Sequence, residues 1–296
     1  EAIDALNIKP NGVYIDCTAG GGGHSTAIAE KLKEGRLIAI DQDPEAIEIL
    51  RERLGKYRNV TVVQDNFINL QAILTQSGFK KADGILADLG VSSHQLDKAE
   101  RGFSFHNDAP LDMRMSMSGS SAADLVNTLP QSTLQRIIFQ YGEERYAPSI
   151  ARGIIRAREI SPIKTTFELV DIIKANIPAA ARREGGHPAR RTFQALRIEV
   201  NGELDKLEAA IGSMFEALNP GGRLAIITFH SLEDRIVKKS FAVFCEGCTC
   251  PPQFPVCVCG KTAKGFLPFK AKKPSPEQIE INPRCRSARL RVIEKT

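Results

Sequence analysis

Four consecutive glycines, Gly20 to Gly23, follow the short apolar run Val13-Tyr-Ile-Asp16 and lead into His24-Ser-Thr-Ala-Ile28. A backbone without Cβ turns sharply and approaches a ligand closely, and amides at a helix start point toward whatever sits there. A second apolar run, Arg36-Leu-Ile-Ala-Ile-Asp41, also ends in a carboxylate. An acid at that place accepts hydrogen bonds from both ribose hydroxyls of an adenosine. The alternative is a tight strand-to-helix turn with no ligand. The acid-ended second run favours the nucleotide.

The glycine spacing separates two cofactor classes. A dinucleotide fingerprint needs Gly-x-Gly-x-x-Gly, but a start at Gly20 meets Ser25 at the last position and a start at Gly21 meets Thr26. Asp16 instead opens Asp-x-x-x-Gly-x-Gly, the pattern of the first motif in S-adenosylmethionine-dependent methyltransferases. Asn59-Val-Thr-Val-Val-Gln-Asp65 and Ala82-Asp-Gly-Ile-Leu-Ala-Asp88 add two further acid-ended runs. Ligands of open α/β sheets gather at such carboxyl ends, so Asp41, Asp65 with Phe67, and Asp88 are expected to line one crevice.

Other residue types suit other chemistry. His230 follows the run Gly222–Phe229 and can carry a proton near neutral pH, although a single histidine also serves as a structural hydrogen-bonding residue. Ser92, Ser93 and Asn201 are weaker candidates for orienting a base. Arg182, Arg183, Arg190, Arg191 and Arg197 surround Gly185-Gly-His-Pro188 and suit phosphate pairing or base stacking, with a solvated, salt-bridged surface as the alternative. Five of the seven cysteines form Cys245-x2-Cys248-x-Cys250-x6-Cys257-x-Cys259. Four thiolates suffice for zinc, but the Cys-x-Cys spacings are tight for a knuckle, and a free-thiol loop rich in Pro251, Pro252 and Pro255 is favoured. No metal is assigned to the site residues. Cys17 and Cys285 read as packing residues.

A chain of 296 residues with 42% hydrophobic content buries a full core as one large or two ordinary domains. No apolar run approaches a membrane span and no secretory leader is visible, so a cytoplasmic protein without membrane partners is expected. Ile3, Leu6 and Ile8 read as the end of an amphipathic element, and a preceding segment is expected. The net charge is +5, yet residues 236–296 hold 12 Lys+Arg against 4 Glu. That asymmetry suits a polyanion partner or, more plainly, a solvated lysine-rich surface.

Strands and helices alternate through the first ninety residues, as a parallel sheet requires. The next convincing strand is Gly222–Phe229, so roughly a hundred residues are inserted, well beyond ordinary loop length. The insertion reads as helical. Leu134, Ile137, Ile138 and Tyr141 share a face, and Thr165-Thr-Phe-Glu168 has the form of a capping box. The apolar series from Phe193 to Leu218 stops at Pro220-Gly-Gly222, with Gly202 dividing it. The expected architecture is α/β: a class I, Rossmann-like S-adenosylmethionine-dependent methyltransferase sheet with an inserted all-helical domain. The discontinuous methyltransferase domain takes 1–106 and 206–296, and the insertion, a candidate for RNA recognition, takes 107–205.

Six ordered motifs run the length of the chain: Asp88-Leu-Gly-Val-Ser-Ser-His-Gln-Leu-Asp97, Arg101-Gly-Phe-Ser-Phe105, Pro110-Leu-Asp-Met-Arg-Met115, Phe193-Gln-Ala-Leu-Arg-Ile-Glu-Val-Asn201, Thr228-Phe-His-Ser-Leu-Glu-Asp-Arg235 and Asn282-Pro-Arg-Cys-Arg-Ser287. Together they closely resemble the bacterial small-subunit ribosomal RNA cytosine-N4 methyltransferases, the MraW/RsmH family. The resemblance implies S-adenosylmethionine as cofactor, held by Gly22, Gly23, His24, Asp41, Phe67, Asp88 and Gln95. It implies methyl transfer to the N4 amine of a cytidine in 16S rRNA, at the decoding centre near the ribosomal P site, in the small subunit. Asp88 and His230 are the candidates for catalytic roles. The family's N-terminal His-x-Pro-Val segment has no counterpart in this sequence. Two other readings stay open: a small-molecule methyltransferase whose insertion is a lid, and an RNA-binding assembly factor with residual cofactor binding.

Overall fold

The computed structural model describes residues 1–182, 186–251, 253, 256 and 258–296. Its contacts divide the chain into two compact units, residues 1–90 with 204–296, and residues 91–203.

The first unit is a seven-stranded sheet: β1 (Val13–Asp16), β2 (Arg36–Asp41), β3 (Val60–Gln64), β4 (Ala82–Asp88), β5 (Leu218–Thr228), β6 (Gly265–Phe266) and β7 (Arg289–Lys295), in the order β3-β2-β1-β4-β5-β7-β6. β1 to β5 run parallel, and β7 lies antiparallel between β5 and β6. The central strands read as near-continuous apolar runs because both their faces are covered: Leu37 to Ile40 and Ile85 to Ala87 are buried without alternation. The chain steps outward from β1 through β2 to β3 and then returns to place β4 on the other side of β1. That reversal is the topological switch point, where ligands of open sheets bind beyond the carboxyl ends. Asp16 and Asp88 end the two strands that flank it.

β1, β2 and β4 take the bounds read from the sequence, and β3 loses one residue at each end. The start of β5 differs: the preceding helix, Glu203–Glu216, ends earlier, and Asn219-Pro-Gly-Gly222 continues the strand rather than closing the helix. The pairing with β4 shifts register between Ala82 and Gly84, so that β5 carries its extra residues, Pro220 among them, opposite that step. The sequence pattern does not mark β6 and β7 as strands. β7 carries alternating charges that look like a basic tail, but Arg291 pairs with Asp234 through two bonds of 2.7 and 3.0 Å, and Glu294 with Arg223 at 2.8 Å. Lys295 and Lys264 both reach Glu216, each at 3.6 Å. Of the twelve C-terminal cations, Arg291, Lys264 and Lys295 are thus paired with acids of the same unit.

The second unit begins at Val91, before the Asn107 expected from sequence, and holds its own core of Leu134, Ile138, Ile150, Ile154, Leu169, Ile173 and Leu196 among others. It is built from helices. Thr165 Oγ1 accepts from Glu168 N at 3.3 Å while Glu168 Oε2 accepts from Thr165 N at 3.0 Å, the capping box expected there. Gly202, at φ +58°, ends the helix Arg190–Asn201 and divides the long apolar series as expected. No helix among the described residues is long and apolar enough to cross a membrane.

Candidate functional site

The glycine loop turns from β1 into the helix Gly23–Ala29, whose first turn is entered through Gly22 at φ +79°. A Cβ there would be strained and would come within 3.1 Å of Leu50 and Arg53 side-chain carbons. Two acids fix the loop. Asp16 is fully buried and accepts from Ser25 Oγ at 2.7 Å and from Thr18 N at 3.3 Å. Asp41 accepts from Gly20 N at 2.7 Å through Oδ2 and from Asp43 N at 2.9 Å through Oδ1. Each oxygen of Asp41 keeps a lone pair for a further donor, so holding the loop and meeting a diol are compatible. Burial raises its pKa to about 6, against the pull of those two amides.

Asp88 ends β4, its own amide donating to Thr18 Oγ1 at 2.6 Å. Its Oδ2 stands 3.6 Å from His24 Nδ1 at the start of the helix beyond the glycines. Its Oδ1 is shielded from solvent and has no hydrogen-bond partner. Burial lifts the pKa to about 6, opposed by His24 and reinforced by the negative Asp16 and Glu233. A buried carboxylate oxygen left unsatisfied is costly in a structural role and suits a group that engages a ligand. Thr18, which aims this strand end, is a residue the sequence reading missed; nothing in its spacing marks it.

Phe67 opens a short 3-10 turn after β3, half-buried against the sheet core. Beside it Asp65 accepts from Asn66 N and Asn69 Nδ2, both at 2.7 Å, and Asn66 Nδ2 reaches Gln42 Oε1 at 2.7 Å. These bonds tie the loops after β2 and β3 together. His230 caps the helix Ser231–Cys245: its Nδ1 accepts from Glu233 N at 3.5 Å, and its Nε2 lies 3.1 Å from Glu233 Oε1. Glu233 Oε2 in turn accepts from Phe229 N at 2.8 Å. His230 is thus placed as a cap that shapes the loop after β5, while its Nε2, although near Glu233 Oε1, is buried and makes no hydrogen bond.

In the second unit the motif residues form a scaffold. Asn201 is buried, accepts from Met115 N at 2.8 Å, and donates to Met113 O at 2.8 Å and Arg197 O at 2.9 Å. Arg101, also buried, donates to Arg114 O at 2.9 Å and Met115 O at 3.1 Å. Gly102 is positive in φ, and a Cβ would meet Pro110 O at 2.3 Å. Three of the six motifs therefore converge on one backbone knot, where Asn201 is a clamp. Gln95 is the third residue of a capping box with Ser92, each backbone N–H bonded to the other's side chain at 3.1 Å. Ser93 begins that helix.

The arginines divide. Arg197 pairs with Glu203 through two bonds of 2.8 Å, both side chains largely buried, which makes it structural. Arg182, Arg190 and Arg191 are exposed, and Arg183 and Gly185 lie outside the described residues. Arg190 and Arg191 line, with Arg145, Tyr146, Ile177 and His187, a cavity of about 300 Å³. His187 is stacked on Phe105 at 4.5 Å. Cys17 is buried in the sheet core and Cys285 is half-exposed, its Sγ 3.6 Å from Gln278 O. Cys248, Cys250 and Cys259 are clustered; Pro252, Pro255 and Cys257 lie outside the described residues.

A parallel Rossmann-like sheet with an antiparallel β7, a glycine turn at its switch point and acids at the ends of β1, β2 and β4 define a class I methyltransferase. The comparisons agree. All of residues 1–296 match the MraW methylase family, and the chain belongs to that family. It is 54% identical over 305 residues to the ribosomal RNA small subunit methyltransferase H of Paenibacillus sp. (strain JDR-2), covering 100% of this chain and 96% of that one. Against the protein of the same name from Clostridium botulinum (strain Loch Maree / Type A3) it is 55% identical over 298 residues, with the same coverage.

Proposed function

We propose that this methyltransferase methylates the N4 amine of a cytidine in 16S rRNA, at the decoding centre near the P site of the small ribosomal subunit, and works in the cytoplasm. The observation that carries the chemistry is Asp88: a half-buried carboxylate at the switch point with a shielded, unsatisfied Oδ1 and a raised pKa. The substrate class is supported by relatives named as small-subunit ribosomal RNA methyltransferases, which match over 96% of their length.

The methyl donor is S-adenosylmethionine, whose sulfonium supplies an already electrophilic methyl group. The residues fit it. Gly21 and Gly23 have nothing within 4 Å of an added Cβ, so no protein contact accounts for glycine there, whereas a closely approaching ligand does. Gly22, Gly23 and His24 supply the turn and the helix start, Asp41 the acceptor for ribose hydroxyls, and Phe67 an apolar face. Asp88 belongs to both the cofactor and the base. Gln95, in the second unit, is assigned on the family resemblance.

Cytosine N4 is a weak nucleophile because its lone pair is delocalised into the ring, so positioning supplies much of the rate. Ionised Asp88 accepts an N4 hydrogen, favours a pyramidal nitrogen, and takes or relays the proton lost during or after attack. The base has to leave its stack to reach a sheet-end crevice. His230 acts through the loop it caps. Transfer of labelled methyl from S-adenosylmethionine to purified small subunits, followed by nucleoside analysis, tests the reading. N4-methylcytidine is the expected product. Labelling of small metabolites instead, or RNA binding without transfer, would overturn it in favour of one of the two other readings.

A further inference from the structure

We propose that Cys248, Cys250 and Cys259 bind a single zinc ion that organises the segment between the helix Ser231–Cys245 and β6. The three Sγ atoms all lie within 4.8 Å of one another. Cys248 and Cys259 are 3.7 Å apart at sulfur, far beyond the roughly 2.05 Å of a disulfide bond. Thiolates about 2.3 Å from a tetrahedral zinc are separated by about 3.8 Å, the length of a tetrahedron's edge. The observed spacing is that of ligands sharing one ion. Sulfurs so close leave no room for an iron–sulfur cluster between them.

Two backbone amides point at these sulfurs: Cys250 N donates to Cys248 Sγ at 3.4 Å and Val258 N to Cys250 Sγ at 3.3 Å. Amides directed at sulfur stabilise thiolate over thiol, and the thiolate is the form that binds metal. No apolar reason brings the thiols together. None of the described residues from 246 to 264 is buried, and Val256 and Val258 are 70% and 73% exposed. The segment is closed at its base by Lys264 N donating to Phe244 O at 2.9 Å and by the Lys261–Glu246 pair at 2.7 Å. Beyond that base, metal ligation replaces a core, as it does in small domains that cannot build one. This departs from the free-thiol loop favoured by the sequence spacing. The tight Cys248-x-Cys250 step places both sulfurs in the cluster rather than on opposite sides of it.

The experiment uses the full chain, purified under reducing conditions and passed through gel filtration with a weak chelator. Elemental analysis is expected to return about one zinc per chain. Cobalt replacing the zinc should give the sulfur-to-metal charge-transfer band and the intense visible bands of tetrahedral thiolate coordination. Cys248→Ser and Cys259→Ser should each lose most of the metal, while Cys285→Ser keeps it. Wild-type chain that retains no zinc and shows no cobalt bands overturns the proposal. So does a Cys248–Cys259 disulfide in peptide mapping, or equal loss of metal from Cys285→Ser.

Discussion

Asp88 Oδ2 and His24 Nδ1 face each other across 3.6 Å, one at the end of β4 and the other in the first turn of the helix that follows the glycines. The pair joins the two sides of the switch point. Without His24 the carboxylate would be harder still to ionise, because burial and the neighbouring Asp16 and Glu233 all oppose its charge. His24→Ala is therefore expected to raise the Asp88 pKa further. An acidic limb in the pH profile of kcat/KM near pH 6 should move upward in the variant. An unmoved limb separates His24 from the ionisation of Asp88.

Asp88→Asn tests both chemistry and stability. Methyl transfer should fall by about 10²-fold or more, the usual scale for removing a proton acceptor, with cofactor affinity changed less. The stability effect has the opposite sign. A carboxyl whose folded pKa is raised from 3.8 to about 6 binds more protons folded than unfolded between those values, so its contribution worsens as pH climbs through that window. The amide should make the protein more stable by about 1–2 kcal/mol at pH 8, the full shift being discounted for the part of the carboxylate that still meets solvent. Near pH 4 most of that gain should be gone. Denaturant titrations at the two pH values give the comparison, and a gain that does not shrink toward acid removes the buried-charge explanation.

Asp41→Ala should weaken S-adenosylmethionine binding by at least about tenfold, the scale of one lost charge-assisted hydrogen bond. It should also cost stability, since Gly20 N and Asp43 N each lose an acceptor. Asp41→Asn separates the two effects. Its amide oxygen can still accept from one backbone N–H, but its NH2 cannot accept from a ribose hydroxyl. Calorimetry on a folded Asn variant with unchanged affinity would remove the ribose assignment.

Much of the first unit was legible because central parallel strands are apolar runs ended by acids and glycine turns, and these depend on local residues alone. Asp16, Asp41 and Asp88 fell at strand ends for that reason. The missed β7 is the next-to-last strand of the sheet, whose alternate residues are Arg289, Arg291, Ile293 and Lys295, and only the distant partners Asp234 and Glu216 explain the three charges. The roles of Asn201 and Arg101 were hidden for a similar cause. A polar residue in a recurring motif suggests substrate contact until its backbone partners, almost ninety positions away for Asn201, are known.

Asn201→Ala is expected to destabilise the second unit by about 2–4 kcal/mol, because it strips a bond from the buried Met115 N–H and removes the donor to Met113 O. Cofactor affinity in the first unit should persist. A folded variant of wild-type stability that fails only in methyl transfer would restore Asn201 as a base contact.

The arginines give the last prediction. If Arg182, Arg190 and Arg191, with Arg183, meet RNA phosphates, their joint replacement by Ala should weaken binding to small subunits and flatten its salt dependence while cofactor affinity holds. Each lost phosphate contact lowers the slope of log affinity against log salt by roughly 0.7 to 0.9, so two contacts are measurable. Arg197→Ala should behave differently. Its partner Glu203 would be left largely buried without a cation, and the cost of about 2–4 kcal/mol should show in melting rather than in the salt slope. Lys270, Lys272 and Lys273 provide the comparison on the first unit, since Lys272 lies over the Phe269 ring at 4.3 Å and all three are exposed. If the arginine variant keeps its slope and neutralising these lysines flattens it, RNA is held by the C-terminal surface and the helical unit has another role.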